Sequence, residues 1–436
     1  MVAQHRPRRR WRWITFVGGF LAGFLVLVLA NSVLQIIHGA PQLEPGDLVI
    51  LSGADASGGQ RQQLLDKWNA KHPRNHARIE ALADRAELQH SGMVGQAQQR
   101  DGRVDIYNLD VTWTAEFATA GYIQPFGSTN TDGFLPKVLQ TCQFDNRLWA
   151  LPFNTDAGLL YYRTDIFGQT GTQLQTAQPP TPQDMVEILN QRLTPGAPAL
   201  KAGYVTQLKP YEGLTVNALE TIEANGGGDI VSGDGQVVMD PVKVTRALRP
   251  LAQAKEGQKP GLLAASFEDD EQKSAAAFAS GEVAMMRNWP VWYGQLPNLS
   301  GGGFKIADHF NVRAPASSVL GGQNLAIATD TTKPNAAKAL IEFLTSPSSE
   351  RTLFGDGGLP ATRADTYRDP AVQAKQPYAL VLLDTLGHAQ PRPVTTHYPL
   401  FSQIFQELVT SALGNDGRLP DDASRRLANA LAGRIQ

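Results

Sequence analysis

A chain of 436 residues is too long for one ordinary core, and with 42% hydrophobic and 18% charged residues it has the make-up of a globular protein, so two lobes of mixed character are expected. A net charge of -2 leaves no basic field for phosphates, which argues against general nucleic-acid binding. The lone Cys142 excludes an internal disulfide and a thiolate metal site, and reads as a buried small hydrophobe.

Residues 1–13 form a basic segment, with Arg6, Arg8, Arg9, Arg10 and Arg12, ahead of an apolar stretch at 14–37. Within that stretch the only polar side chains are Thr15, Asn31, Ser32 and Gln35, so it can cross a bilayer as a helix. The arginines hold the N-terminus in the cytoplasm, and no Lys or Arg recurs until Arg61, so the body is expected outside. Trp11 and Trp13 stand where interfacial aromatics belong. The stretch reads either as an uncleaved anchor or as a signal peptide cut near Ala30-Asn31-Ser32. No cysteine stands just beyond it for lipid attachment. Residues 38–46, with Pro45-Gly46, read as a linker.

Asp47 to Leu51 is a short apolar strand that runs into a glycine-rich loop, Ser52 to Gly59. A helix follows with Leu64, Leu65 and Trp68 inward, stopped by Pro73. The loop has no P-loop lysine, so nucleotide binding is not supported, and Pro73 between His72 and His76 argues against a metal pair. A second strand, Val104 to Leu109, delivers Asp110 to the start of a short helix that Gly121 can end. There Asp110 can cap the helix, bind a ligand at a strand end, or both.

The organising stretch is LWALPFNTDAGLLYYRTDIF, Leu148 to Phe167. Phe153, Asn154, Thr155 and Asp156 read as a polar turn before a core strand, Ala157 to Tyr162, with Thr164 or Asp165 capping a short helix. Thr181-Pro182 starts a helix that carries Met185, Ile188, Leu189 and Leu193. Tyr211-Glu212-Gly213-Leu214 opens another, which runs to Ala224 and stops at Asn225 to Gly228. A helix is expected between Val237 and Gly257. Phe267 to Glu271 reads as a solvated acidic helix start, and Gly281 breaks that helix before a strand, Glu282 to Met286. Arg287 to Pro290 turns at the strand's end.

Leu320 to Asn324 precedes a strand, Leu325 to Ile327. Pro334 starts a helix with Ala336, Ala337, Leu340, Ile341 and Leu344 on one face. Gly357 to Arg363 is an extended return, and the tail from Leu400 reads as two helices.

Six motifs in this order, DVTWTAEFATAGYIQPF, LWALPFNTDAGLLYYRTDIF, YEGLTVNALETIEANGGG, AAAFASGEVAMMRNWP, LGGQNLAIATDTTKPNAAKALIEFLTS and GGLPATR, resemble the extracellular solute-binding proteins of family 1, which deliver carbohydrates to ABC importers. The resemblance spans 47–410, and YEGL with its glycine-rich stop is most similar to maltose and trehalose binders. It implies an α/β architecture, the type II periplasmic-binding-protein fold, with two lobes joined by a three-crossover hinge. Lobe 1 would comprise 47–156 plus 318–360, and lobe 2 would comprise 157–317 plus 361–436. The crossings would fall near Ala157 to Tyr162, Gln323 to Ile327 and Leu359 to Arg363.

A sugar offers apolar ring faces to aromatics and hydroxyls to carboxylates and amides. On that need Asp110, Asn154 and Asp156 are expected to hold hydroxyls, Tyr211 and Trp289 to supply ring faces, and Arg363 to donate, with Glu212 also expected to bind ligand. Gly321 and Gly322 would let backbone approach the ligand, with Gln323 beside them. Gln323 and Asn324 stand where an aromatic commonly follows the paired glycines, and Pro182 replaces the usual tryptophan. The expectation is a monomeric, non-enzymatic receptor without metal or cofactor, tethered by its N-terminal helix and serving ABC permease subunits. A ligand-sensing or interaction module on the same fold is the alternative.

Overall fold

The computed structural model describes residues 42–83, 85–168, 200–255, 261–299 and 305–435. The apolar stretch 14–37 and the helix start at Thr181-Pro182 lie outside them. Among the described residues no helix is long and apolar enough to cross a membrane. Residues 45–436 form one unit by their contacts.

Its elements are β1 (Leu48–Ser52), α1 (Gln60–Lys71), β2 (Ala77–Ala81), α2 (Ala86–Gln99), β3 (Ile106–Asp110), α3 (Thr114–Thr119), α4 (Pro136–Gln140), β4 (Gln143–Phe144), β5 (Arg147–Leu148), β6 (Ala150–Ala157), β7 (Leu159–Arg163), α5 (Thr164–Phe167), β8 (Ala202–Val205), α6 (Glu212–Ala224), α7 (Pro241–Lys255), α8 (Glu271–Ala279), β9 (Val283–Asn288), α9 (Trp292–Leu299), β10 (Phe310–Arg313), β11 (Leu320–Ile327), α10 (Pro334–Leu344), α11 (Pro347–Gly357), α12 (Ala364–Arg368), α13 (Pro370–Lys375), α14 (Ala379–His388), α15 (Tyr398–Leu413) and α16 (Ala423–Leu431).

Two sheets carry the fold. The first has the order β2-β1-β3-β11-β6, with β1 parallel to β2 and β3, and β11 antiparallel to both β3 and β6. All five side chains of β1 are buried, because helices cover both faces of the parallel part, and its sequence LVILS is accordingly almost continuously apolar. The second sheet has the order β10-β7-β9-β8, with β7 antiparallel to both neighbours and β8 parallel to β9.

Packing follows the helical periodicity. Leu64, Leu65 and Trp68 of α1 are buried, as are Ala336, Ala337, Leu340, Ile341 and Leu344 of α10. On one face of the second sheet Phe278, Met286 and Tyr161 pack with Tyr367 and Tyr378. A separate core joins Leu214 and Ile222 of α6 to Val244 and Leu248 of α7 and Phe401, Phe405 and Leu408 of α15. Cys142 is buried in the first half, among Trp113, Phe117 and Ile123.

The structure corrects the expected polar turn at Asn154 to Asp156. These residues belong to strand β6, which ends at Ala157, and Gly158 alone separates it from β7 in the other sheet. Pairing with β11, which is remote in sequence, overrides the local polar signal. The expected crossing at Gln323 to Ile327 is also displaced. Those residues lie inside the first sheet between β3 and β6, so the chain passes between sheets earlier, at 314–319. The return segment runs beside β6, where Thr155 N–H donates to the Pro360 carbonyl at 3.2 Å.

Candidate functional site

Gln323 on β11 is the geometric centre of the polar cluster, paired with Asp110 of β3 on one side and with Asn154 of β6 on the other. Its side-chain carbonyl accepts from Asn108 Nδ2 at 2.9 Å, and that same amide donates to Ser52 Oγ at 2.9 Å. Strand ends thus bring Ser52, Asn108, Asp110, Gln323, Asn154 and Asp156 onto one wall. Open α/β sheets gather ligands at such strand ends. The Oδ1 atoms of Asn108 and Asn154 are buried and accept no hydrogen bond. A buried acceptor left unpaired is costly.

Asp156 Oδ2 lies 3.5 Å from Asn154 Nδ2. Burial pushes the Asp156 carboxyl up to about 7; Arg287 opposes the rise, Asp110 adds to it, and Arg392 opposes it further. The backbone of Asp156 pairs with Gly321, and a Cβ on Gly321 would lie 3.3 Å from Asp156 Cβ and 3.4 Å from the Trp289 ring. Gly322 has φ +123°, and a Cβ there would meet the Asn154 carbonyl oxygen at 2.3 Å. What approaches these two glycines is therefore the protein's own ring and backbone.

Trp289, just after β9, is held on three sides. The Arg287 guanidinium lies 3.9 Å from its ring centroid, Gly321 admits its far edge, and its Nε1–H donates to Glu271 at 3.3 Å. The other oxygen of Glu271 accepts from Tyr211 Oη at 2.8 Å. Both expected ring residues are thus fastened to one carboxylate. Glu271 begins α8, as the acidic helix start predicts, but its side chain organises the two rings. Tyr211 in turn requires Gly213, whose Cβ would collide with the tyrosine ring at 2.3 Å.

Sequence reading missed Arg392 altogether. It lies between α14 and α15, is 7% exposed, and joins the two halves: one nitrogen donates to Asp110 at 3.0 Å and another to Glu212 at 2.8 Å. Glu212 also accepts from Tyr398 Oη at 2.5 Å and Ser402 Oγ at 2.7 Å. Burial raises the Glu212 carboxyl, against the pull of Arg392 and these hydroxyls. Burial disfavours the Arg392 cation, yet Asp110, Tyr398 and Glu212 outweigh it and hold it charged. Its Nε–H has no acceptor. The flanking prolines, Pro391 and Pro393, which stiffen the backbone around a single arginine, were the available signal. Beside it opens a cavity of about 310 Å³ lined by Glu87, His90, Trp113, Arg392, Tyr398 and Gln403 among others.

Asp110 serves two roles at once. Oδ1 accepts from the Thr112 backbone N–H at 2.9 Å and from the Thr112 hydroxyl at 2.7 Å, which stiffens the turn into α3, while the carboxylate meets Arg392. Arg363 stands apart from the cluster. It donates to the carbonyls of Thr345 at 3.0 Å and Asp132 at 2.6 Å, and packs 3.8 Å from the Phe134 ring centroid. Two of its N–H groups are engaged there, and it is not grouped with the other expected residues. Among the described residues no group of three or more His, Cys, Asp or Glu side chains is arranged to hold a metal ion.

The arrangement offers acceptors, a few fixed donors and two anchored rings to a neutral, hydroxyl-rich ligand. The chain is 28% identical over 384 residues to a probable ABC transporter-binding protein of Deinococcus radiodurans, covering 84% of this chain and 88% of the relative. It is 25% identical over 319 residues to a mannitol-binding protein of Pseudomonas aeruginosa, covering 67% and 69%. The solved structure of maltose-bound MalE3 from T. maritima superposes with a TM-score of 0.74 at 25% identity, covering 89% of this chain and 99% of that one. Residues 64–379, well over half of the chain, match the family described as bacterial extracellular solute-binding protein, and the chain belongs to that family.

Proposed function

We propose that this protein captures a neutral carbohydrate, a di- or oligosaccharide, between two lobes and delivers it to the permease subunits of an ABC importer. The lobes are 47–156 with 318–360 and 157–317 with 361–436, and they close on the passages between the sheets. The observation that carries the reading is the Trp289 ring, fastened by Arg287, Glu271 and Gly321 beside Asp156 and the unpaired Asn154 carbonyl. An aromatic face next to buried acceptors is what a sugar's apolar face and its hydroxyls require. The maltose on MalE3 and the mannitol named for the Pseudomonas relative are ligands of the same chemistry.

In this reading Asp110, Asn154, Asp156, Glu212 and Gln323 meet hydroxyls, Trp289 and Tyr211 supply ring faces, and the cleft binds without catalysis. The apolar stretch 14–37 tethers a monomeric body outside the cell as a single-pass anchor, or is removed to release it. Thermal unfolding of the purified protein against mono-, di- and oligosaccharides, with polyols and amino acids as controls, tests the reading. A ligand that binds only the folded state raises Tm by mass action. A concentration-dependent rise with one sugar class is expected. No rise with any sugar or polyol, from folded and ligand-free protein, would overturn the reading in favour of a partner-binding module.

A further inference from the structure

One ion pair touches both the ligand-site ring and the strands that join the two sheets. Arg287, 3% exposed, donates from Nε to Glu220 Oε2 at 2.8 Å and from Nη2 to Oε1 at 2.7 Å, and Glu220 is 7% exposed. A two-point guanidinium–carboxylate contact of this kind has a single planar geometry. Glu220 Oε1 also accepts from the Val319 backbone N–H at 3.0 Å, at the end of the 314–319 passage.

The other passage is Gly158. A Cβ there would lie 2.6 Å from Arg287 Nη2 and 2.8 Å from Glu220 Oε1, so only glycine leaves the pair its place. Ser318 Oγ donates to the Gly158 carbonyl at 3.3 Å and ties the two passages together. On its other side the same guanidinium lies against Trp289.

We propose that Glu220 and Arg287 are positioning residues that hold the Trp289 ring and pin it to both strand passages, so that the ring face is set by the relative position of the two halves. The pin rests on the reading of the cleft as a ligand site with mobile lobes. Any rotation about Gly158 and 314–319 must work against this pair as well as against the Arg392 bridge. Because the guanidinium packs against the ring, the stacking surface is tied to the pivot as well as to the second sheet. The pair cannot be exchanged for another ion pair of equal charge without changing its shape, because a lysine has neither the fork nor the flat face.

The test uses the full chain with two introduced cysteines, at exposed Gln98 on α2 and exposed Gln272 on α8, carrying nitroxide labels; native Cys142 is fully buried. Glu220→Gln, Arg287→Lys and Gly158→Ala are compared with wild type and with Asp165→Asn. The last alters a different ion pair, buried Arg163 with half-buried Asp165, which lies on the second sheet's side. Distance distributions are recorded without ligand and with the sugar that binds wild type, and affinity is measured by calorimetry.

Each of the first three variants is expected to broaden the ligand-free distribution and to weaken sugar binding tenfold or more. Asp165→Asn should lower Tm without either effect. Gly158→Ala keeps both members of the pair, so it decides the matter if the other variants do not fold. Distributions indistinguishable from wild type would overturn the pin, and affinity within twofold of wild type would overturn the positioning of the ring. If the wild type binds no sugar, the receptor reading fails, and the ligand-free widths still decide whether the pair restrains the two halves.

Discussion

Replacing Asp156 by asparagine removes the one cleft carboxyl whose ionisation the fold opposes most. Burial lifts it from an ordinary 3.8 to about 7. The native state therefore holds this proton more tightly than the unfolded chain does. On this account stability is highest below pH 3.8, falls as the pH rises towards 7, and above that carries the whole penalty of a buried anion. At about 1.36 kcal/mol for each pH unit between the two values, the penalty is about 4 kcal/mol. With roughly 2.1 cal/mol/K of unfolding entropy per residue over the 45–436 body, this corresponds to about 5 °C in Tm.

Asparagine keeps the shape and cannot ionise. Asp156→Asn should therefore raise Tm at pH 8 by a few degrees and leave it nearly unchanged at pH 4, while weakening sugar binding because an amide is a poorer acceptor than a carboxylate. Calorimetric melting of both proteins between pH 4 and 8 reads the difference. Buried Glu350, also lifted to about 7 by burial, titrates in the same window and contributes equally to both curves, so it cancels in the comparison. A variant less stable than wild type at pH 8, or a gap that does not widen with pH, would refute the reasoning.

Trp289→Ala should leave far-UV circular dichroism and Tm close to wild type and cost about 1–3 kcal/mol of sugar binding, measured by calorimetry; unchanged affinity would remove the ring from the site. Arg392→Met leaves Asp110 and Glu212 without their shared cation and should cost about 3–5 kcal/mol in urea unfolding, whereas a loss under about 1 kcal/mol would show that the bridge between halves contributes little. Gly322→Ala places a methyl against the Asn154 carbonyl in a backbone region alanine avoids. It should lower Tm by more than Gly226→Ala, whose Cβ position is open although its φ is also positive.

Local signals carried much of the architecture. The α10 stripe, the Pro334 start, the Gly121 and Gly281 stops and the α6 boundary at Ala224 all follow from periodicity and capping, and each lies where the sequence places it. What was not legible depends on partners remote in the chain. Asn154 to Asp156 looks like a turn until β11 is laid beside it. Glu271 looks like solvated helix-start chemistry until Tyr211 and Trp289 arrive from either side. Arg392 pairs with residues 282 and 180 positions away, a separation that no local pattern encodes. Conversely Arg363 reads as a donor by its place at the end of the return segment, but Nε and Nη1 donate instead to the carbonyls of Thr345 and Asp132.

The order of strands in the first sheet sets the order in which it can be completed. β3 and β6 are close in sequence yet never pair; both await β11, and the Asn108–Gln323 hydrogen bond spans 215 residues. As the chain emerges from the ribosome, two strand edges stay open until about three quarters of the residues have been made. High contact order slows folding, and open edges invite pairing with other chains. Truncation before residue 320, which removes β11, should therefore produce aggregation rather than a folded first sheet.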